Sequence, residues 1–461
     1  MAKPAPEPGT FYQSLVENSN FSTGLASIES ARNGVVSPPE SLPSSRLTNK
    51  INPRAALQLA TLILGYIGVY LCRKNFAVAV PMLQTAFSAN KAQIGAIDSY
   101  ATIAYMCGKL FWGPNLVDRF GGRLCFFIVL SGVALFGGVS AFTASLPILG
   151  MCYMTNRFFG AGGWGSMVKQ VPDWFPARHM ALAMAFLSLS FVFGGVLALI
   201  VAGQVAAVSG NNWRVVMGFP SILLIIIMVL CWLVLSREKK MPEVASRPGS
   251  EWRFSRIVEL TRIPQFWMVC CLSFTLTITR ETFNVWTVDF FRTDGGGHIT
   301  NQVAALLSTP FDAMGAVGIL ALGWLLDRLS GGHRKWLLFS ILMVVALLIY
   351  SLPALVHHEL WMAVTAVGLI GLLSYGPYSL LAGVLALEIR GKDFVATVAG
   401  LVDASGYLAG IVSGYIFGRI LDQGGYTLGF HCLGIITVGG ALLCLGLNRP
   451  QPSSIPSDLS P

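Results

Sequence analysis

A chain of 461 residues that is 54% hydrophobic and only 11% charged is not an ordinary soluble protein, because soluble domains carry roughly 25% charged residues. Its formal net charge of +9 would suit nucleic acid only if the cations covered one solvated face. They do not, and the composition reads as a polytopic membrane protein whose solvent is the lipid bilayer.

The first 53 residues are polar, rich in Ser, Pro, Asn and Glu, and hold no apolar run resembling a secretory core. They are expected to form a disordered cytoplasmic tail. A helix that crosses a bilayer needs roughly 20 apolar residues. Candidate spans begin near Ala55, Ile94, Leu124, Leu146, Met180 and Val215, which predicts a six-helix bundle over 54–236. A basic central loop is expected over 237–263. Further spans begin near Phe266, Gln302, Trp336, Leu360, Val395 and Thr427, giving a second bundle over 264–448 and a polar tail over 449–461. The second, fourth, seventh and eleventh spans carry charges or glycines, as helices facing a polar cavity do.

The cations are sorted between loops. Arg119 and Arg123, Arg178, the stretch from Arg237 to Arg262, Arg334 and Lys335, and Arg390 and Lys392 occupy alternate loops. The opposite loops hold Lys91, Arg214 and Arg292. Positive charge accumulates on the cytoplasmic side, so both termini and the central loop are expected there. The expected location is the plasma membrane of a bacterium. The nine cysteines lie in or beside apolar runs with neither zinc-site spacing nor a disulfide framework. No phosphate-cradling G-x-x-x-x-G-K-[ST], H-E-x-x-H or G-x-S-x-G occurs. The reading is therefore neither an enzyme nor an energised pump, with no metal and no cofactor, and His357 and His358 are expected to be solvated.

The two halves repeat. "GPNLVDRFGGR" (Gly113 to Arg123) resembles "GWLLDRLSGGHRK" (Gly323 to Lys335), and "RKNFAV" (Arg73 to Val78) resembles "RETFNV" (Arg280 to Val285). Arg73 and Arg280 are 207 residues apart, Asp118 and Asp327 are 209, and Gly113 and Gly323 are 210. Two motifs at nearly one offset indicate parallel repeats. The expected fold is all-α, with twelve transmembrane helices in two pseudo-symmetric six-helix bundles, the organisation of the major facilitator superfamily. Gly113, Asp118, Arg119 and Arg123, and their counterparts Gly323, Asp327 and Arg328, resemble that superfamily's cytoplasmic signature. It places a carboxylate near helix ends, with arginines able to pair across a bundle closing on that side.

A charge inside a bilayer is costly and marks a substrate or ion pathway. The repeat sets Arg73 and Arg280 on equivalent helices, facing each other across a central cavity. Each guanidinium offers a planar fork of donors suited to phosphate or carboxylate oxygens. Two forks repel when the site is empty, so a bound anion favours approach of the halves. Tyr66, Tyr70 and Arg73 share a helical face, as do Tyr105 and Lys109.

The stretches "GYIGVYLCRKNFAVAVP", "TIAYMCGKLFWGPNLVDR", "TITRETFNVW" and "SYGPYSLLAGVLALE" resemble the organophosphate:phosphate antiporters of the major facilitator superfamily. The resemblance implies exchange of a phosphorylated small metabolite for inorganic phosphate by a rocker-switch motion, in a monomer. It assigns Arg73 and Arg280 to the phosphate, Lys74 and Lys109 to the cavity, and Tyr66, Tyr70, Tyr105, Tyr375 and Tyr407 to the site's walls. Phe191 stands where glycerol-3-phosphate transporters have a histidine, and Thr277 where they have a tyrosine. Asp98 and Asp403 fall outside the family pattern. Their open roles are pairing with a lysine, taking up a proton, or recognising an amine. Glu281, one residue from Arg280, is expected to point elsewhere. Two alternatives stand beside exchange: a proton-coupled carboxylate symporter of the same superfamily, and a transporter-like receptor for a sugar phosphate.

Overall fold

The computed structural model describes residues 53–175, 177–235, 260–296, 298–328, 333–380 and 395–446. The expected tails, most of the central loop, and Arg390 and Lys392 lie outside the described residues, as do the side chains of Arg178, Asp327 and Arg328. Among the described residues every regular element is helical. The first half comprises α1 (Pro53–Phe87), α2 (Lys91–Phe111), α3 (Gly122–Ser140), α4 (Leu146–Gly160), α5 (Ala177–Val208) and α6 (Trp213–Val234). The second comprises α7 (Pro264–Thr293), α8 (Asn301–Arg328), α9 (Arg334–His358), α10 (Leu360–Leu380), α11 (Val395–Ile411) and α12 (Phe417–Leu445). A π-helical turn, Val412–Ile416, joins α11 to α12, and α12 breaks at Gly424 and Gly425. Gly425 has φ of 63°, a left-handed conformation in which glycine avoids a Cβ clash. The break falls just before the twelfth expected start at Thr427.

Among the described residues eight stretches are long and apolar enough to cross a membrane, the last of them, Leu401–Leu445, running through both α11 and α12. Helices α2, α4 and α7 are not among them, and each was expected from the sequence to be a weak span. In a bilayer every backbone polar group must be satisfied within the protein, which favours the helix. Charged residues of these three helices, such as Asp98, Arg157 and Asp289, are buried within the protein, as polar groups at membrane depth are.

The repeat extends from sequence to packing. In the first half α1 packs on α5 and α6, α2 on α4, and α3 on α4 and α6. In the second, α7 packs on α11 and α12, α8 on α10, and α9 on α10 and α12. Each pair recurs six helices later.

The apolar cores are distributed unevenly. Near the start of α1, Leu59, Leu62 and Tyr66 belong to a core made only of first-half residues. Near the start of α7, Phe266, Val269 and Leu272 belong to a separate core made only of second-half residues. Farther along both helices the distinction ends, and Phe76, Val80 and Leu83 share one core with Trp286, Phe290 and Phe430. The halves are therefore separate on the side of the basic loops and fused on the other.

Polar contacts complete the fused face. The Asp422 carboxylate accepts from the Lys91 and Ala92 backbone N–H groups, both at 2.9 Å, so one half caps a helix N-terminus of the other. Lys91 Nζ pairs with the buried Asp289 carboxylate at 2.6 Å, and Gln84 and Tyr426 donate to the same carboxylate. Between α2 and the π turn the backbones nearly touch. A Cβ on Gly95 would stand 2.2 Å from the Gly414 carbonyl oxygen. Beside it, Ser99 Oγ donates to the Ile411 carbonyl at 2.6 Å and accepts from the Tyr415 N–H at 2.8 Å.

Gly95→Val should force this seam apart, since backbone cannot yield as a side chain can. In a cysteine-replaced background, Ser99→Cys should resist an impermeant maleimide applied from the Lys91 side and become reactive once Gly95→Val is added. Unchanged protection would show that the seam tolerates the added bulk.

Candidate functional site

Below the fused face lies a cavity of about 420 Å³, lined by α1, α2, α4, α5, α7, α8, α10 and α11. Its wall includes Tyr66, Tyr70, Arg73 and Lys74 from α1, and Tyr105 and Lys109 from α2. Arg280 of α7, Tyr375 of α10, and Asp403 and Tyr407 of α11 face them. Phe191 and Thr277, where the chain departs from the glycerol-3-phosphate pattern, line it too. Asp98 lies in an adjoining recess with Arg73, Arg157 and Glu281.

The cations differ in their company. Lys74 is buried at the cavity floor, where its Nζ bonds Asp312 Oδ2 and Asn284 Oδ1, each at 2.6 Å. The Tyr375 hydroxyl donates to the other Asp312 oxygen at 2.7 Å. This cluster joins α1 of one half to α7, α8 and α10 of the other. Arg280 Nη2 bonds Glu281 Oε1 at 2.9 Å, and its guanidinium lies 4.1 Å from the Tyr378 ring centroid. The i, i+1 spacing predicted that Glu281 would point elsewhere, and the structure corrects this. Both side chains are long enough for their ends to meet at the cavity edge.

Arg73 forms no ion pair among the described residues. Its guanidinium carbon sits 5.4 and 5.3 Å from the Tyr70 and Tyr105 ring centroids. Cation–π contacts of this kind contribute about 0.5–2 kcal/mol, a partial substitute for a counter-ion. Lys109, at the cavity mouth, lies 5.3 Å from the Tyr407 ring centroid. The Tyr105 and Tyr407 rings themselves approach to 5.9 Å across the two halves. Asp98 and Asp403 form no ion pair with a lysine among the described residues, and their three roles stay open.

The loop motif after α2 is held within its own half. Lys169 Nζ donates to Asp118 Oδ1 at 3.2 Å and to the Val117 carbonyl at 2.8 Å. Asp118 is 72% exposed, so this pair adds little stability. Arg119 lies over the Phe120 ring, and Arg123 Nε donates to the Leu235 carbonyl at 3.1 Å.

Comparison with known proteins identifies the architecture. The sequence profile of the Major Facilitator Superfamily matches residues 62–414. The chain belongs to the Major Facilitator Superfamily. It is 26% identical over 393 residues to a Chlamydia pneumoniae protein named a probable hexose phosphate transport protein, covering 79% of this chain and 85% of that one. It is 26% identical over 418 residues to the membrane sensor protein UhpC of Escherichia coli K12, covering 86% and 92%. To the glycerol-3-phosphate transporter of Bacillus subtilis 168 it is 27% identical over 396 residues, covering 81% and 87%. Among solved structures, the nucleoside transporter NupG superposes with a TM-score of 0.69 at 13% identity, covering 86% of this chain and 99% of that one. This superfamily member is an integral membrane protein of transporter type, not an enzyme.

Several cavity residues had no place in the sequence reading, among them Asn284, Asp312, Tyr378 and Arg157. Asp312 ("STPFDAMG") and Arg157 ("YMTNRFFG") are each a lone charge within an expected span. The rule that singled out Arg73 applies equally to them.

Removing one partner of a buried ion pair costs about 3–5 kcal/mol, whereas replacing both by apolar groups is often neutral. Asp312→Ala should therefore lower the thermal unfolding midpoint of the detergent-purified protein sharply. Lys74→Met combined with Asp312→Leu should recover most of the loss. Equal destabilisation by single and double variants would mean that the two groups are not coupled.

Proposed function

We propose that this protein exchanges a phosphorylated small metabolite for inorganic phosphate by alternating access. The observation that carries the reading is the placement of Arg73 and Arg280, one from each repeat, in the wall of one cavity that five cations and several tyrosines line against three carboxylates. Guanidinium forks suit phosphoryl oxygens and keep their charge at any physiological pH. The names of the relatives, transporters of hexose phosphate and glycerol 3-phosphate among them, support the same substrate class. The organic part of the substrate meets Tyr375, Tyr407, Phe191 and Thr277. Phe191 and Thr277 argue against glycerol 3-phosphate itself.

The motion follows from the closed and open faces. Separate cores allow the halves to rock about the fused region, and an anion bridging both repeats relieves the repulsion that opposes closure. The protein works as a monomer in a bacterial plasma membrane. Its termini and basic loops are cytoplasmic, and the cavity opens to the cytoplasm in this conformation. Gly113, Asp118, Arg119 and Arg123, with Gly323, Asp327 and Arg328, form the gate that meets when that side closes.

A second reading has its own observation. Glu281, Asp312 and Asp403 line the cavity and Asp98 its recess, carboxylates that a proton-coupled carboxylate symporter would use. Sensing without transport is the third, favoured by the name of UhpC.

Proteoliposomes loaded with phosphate should take up labelled phosphate, with one organophosphate competing far better than a plain carboxylate. Arg73→Lys and Arg280→Lys should each abolish that exchange while leaving insertion intact, because lysine keeps the charge and loses the fork. Exchange retained by both variants would remove these arginines from the site. Carboxylate uptake driven by a pH gradient, without phosphate exchange, would establish the symporter. Binding without either flux would establish a receptor.

A further inference from the structure

Arg157 is the cavity cation to which neither the repeat nor the resemblance gives a role. It is 5% exposed, and its Nε and Nη1 have no hydrogen-bond partner. Leaving charged donors buried without acceptors costs several kcal/mol, so a group held this way needs an explanation in what it binds. It forms no ion pair among the described residues. Its guanidinium carbon lies 5.0 Å from the Tyr105 ring centroid, and that of Arg73 lies 5.3 Å from the same centroid. The two guanidiniums thus share one ring.

Arg73, Arg157, Tyr66, Tyr70, Tyr105 and Asn156 line a recess that adjoins the main cavity, and no described carboxylate lines it. The Asn156 Nδ2 is engaged by the Val133 carbonyl at 2.8 Å, which fixes that side chain in the wall. The recess itself, at about 10 Å³, is too small for a phosphoryl group, but Arg73, Arg157, Tyr66, Tyr70 and Tyr105 also line the main cavity of about 420 Å³, and that is where an anion has room to meet them. Arg280 stands differently: its Nε is also open, but Glu281 already supplies its counter-charge.

We infer that Arg73 and Arg157, both from the first repeat, form the first seat for the phosphoryl group, and that Arg280 joins when the anion displaces Glu281. A tetrahedral dianion needs several convergent donors. Arg73 and Arg157 provide them because neither forms an ion pair among the described residues, although Asp98 and Glu281 line the recess on their other side. Arg280, in contrast, is already paired with Glu281. The inference rests on the proposed exchange function and adds the order in which the anion is taken up.

The test is binding to the purified full-length chain, read as the phosphate concentration that half-maximally raises the thermal unfolding midpoint. Sulfate and succinate serve as comparison anions. The unmodified protein should bind phosphate at least tenfold more tightly than succinate. Arg157→Gln should weaken phosphate binding tenfold or more, Arg157→Lys should weaken it less, and Glu281→Gln should strengthen it. Phosphate affinity in Arg157→Gln within twofold of the unmodified protein would overturn the seat and leave the exchange function standing. No phosphate binding by the unmodified protein would overturn the exchange function itself. If Arg157→Gln does not fold, phenylglyoxal labelling of the unmodified chain decides. Phosphate should shield Arg73 and Arg157 more than Arg280, and equal labelling of Arg157 with and without phosphate would refute the seat.

Discussion

Charge held at membrane depth has to be balanced by other charge, by ring faces or by a ligand, and the interior of this protein is organised around that requirement. Five cations line the main cavity, against the three carboxylates Glu281, Asp312 and Asp403. Two cations are neutralised on the spot, Lys74 by Asp312 and Arg280 by Glu281. Arg73, Lys109 and Arg157 rest instead against tyrosine rings. Rings stabilise a guanidinium less than an anion does, so the wall retains an unmet attraction for oxyanions. That attraction is a property of the empty protein and does not depend on which metabolite carries the phosphate.

The second constraint is that such a wall must be reached from one side at a time. On the Lys91 side, small residues bring backbones together, and two acidic residues of the second half engage the start of α2, Asp422 its backbone N–H groups and Asp289 the Lys91 side chain. Close approach of this kind depends on glycine, in the way small residues govern contacts between membrane helices generally. On the opposite side the two halves keep their own apolar cores. The exposed Asp118–Lys169 pair makes no bond across the halves there. The seam is therefore specific and the opening nonspecific, which is the asymmetry a rocking motion requires.

Much of this was legible in the chain. Span positions follow from apolar run length, and of the helices whose starts fall within the described residues, all but the twelfth begin within three residues of their expected starts. The weakness of α2, α4 and α7 pointed to the cavity because charge and glycine within a span have nowhere else to go. The offset between "RKNFAV" and "RETFNV" brought Arg73 and Arg280 into one wall before any coordinates. Pairing was not legible. Lys74 and Asp312 are 238 residues apart, and no local pattern joins them. Glu281 was misjudged because spacing rules describe where Cβ atoms point, whereas the ends of long side chains meet wherever space allows. Arg157 has no counterpart at the repeat offset, so the search that found Arg73 passed over it.

These pairings bear on how exchange could be enforced. Glu281 supplies the counter-charge beside Arg280, so the second repeat carries its own internal anion. In the first repeat Asp98 shares a recess with Arg73 and Arg157, but neither arginine forms an ion pair among the described residues. Under the proposed exchange, an arriving phosphoryl group would meet this less neutralised repeat first and gain Arg280 by displacing Glu281. When it leaves, Glu281 returns and the bridge between the repeats is lost. Closure on the basic-loop side is then coupled to an exogenous anion, because the internal one neutralises a single half and cannot draw the two together. On this view the carboxylate beside Arg280 keeps the empty carrier from closing, and obligatory exchange arises from an uneven distribution of counter-charge between otherwise equivalent repeats.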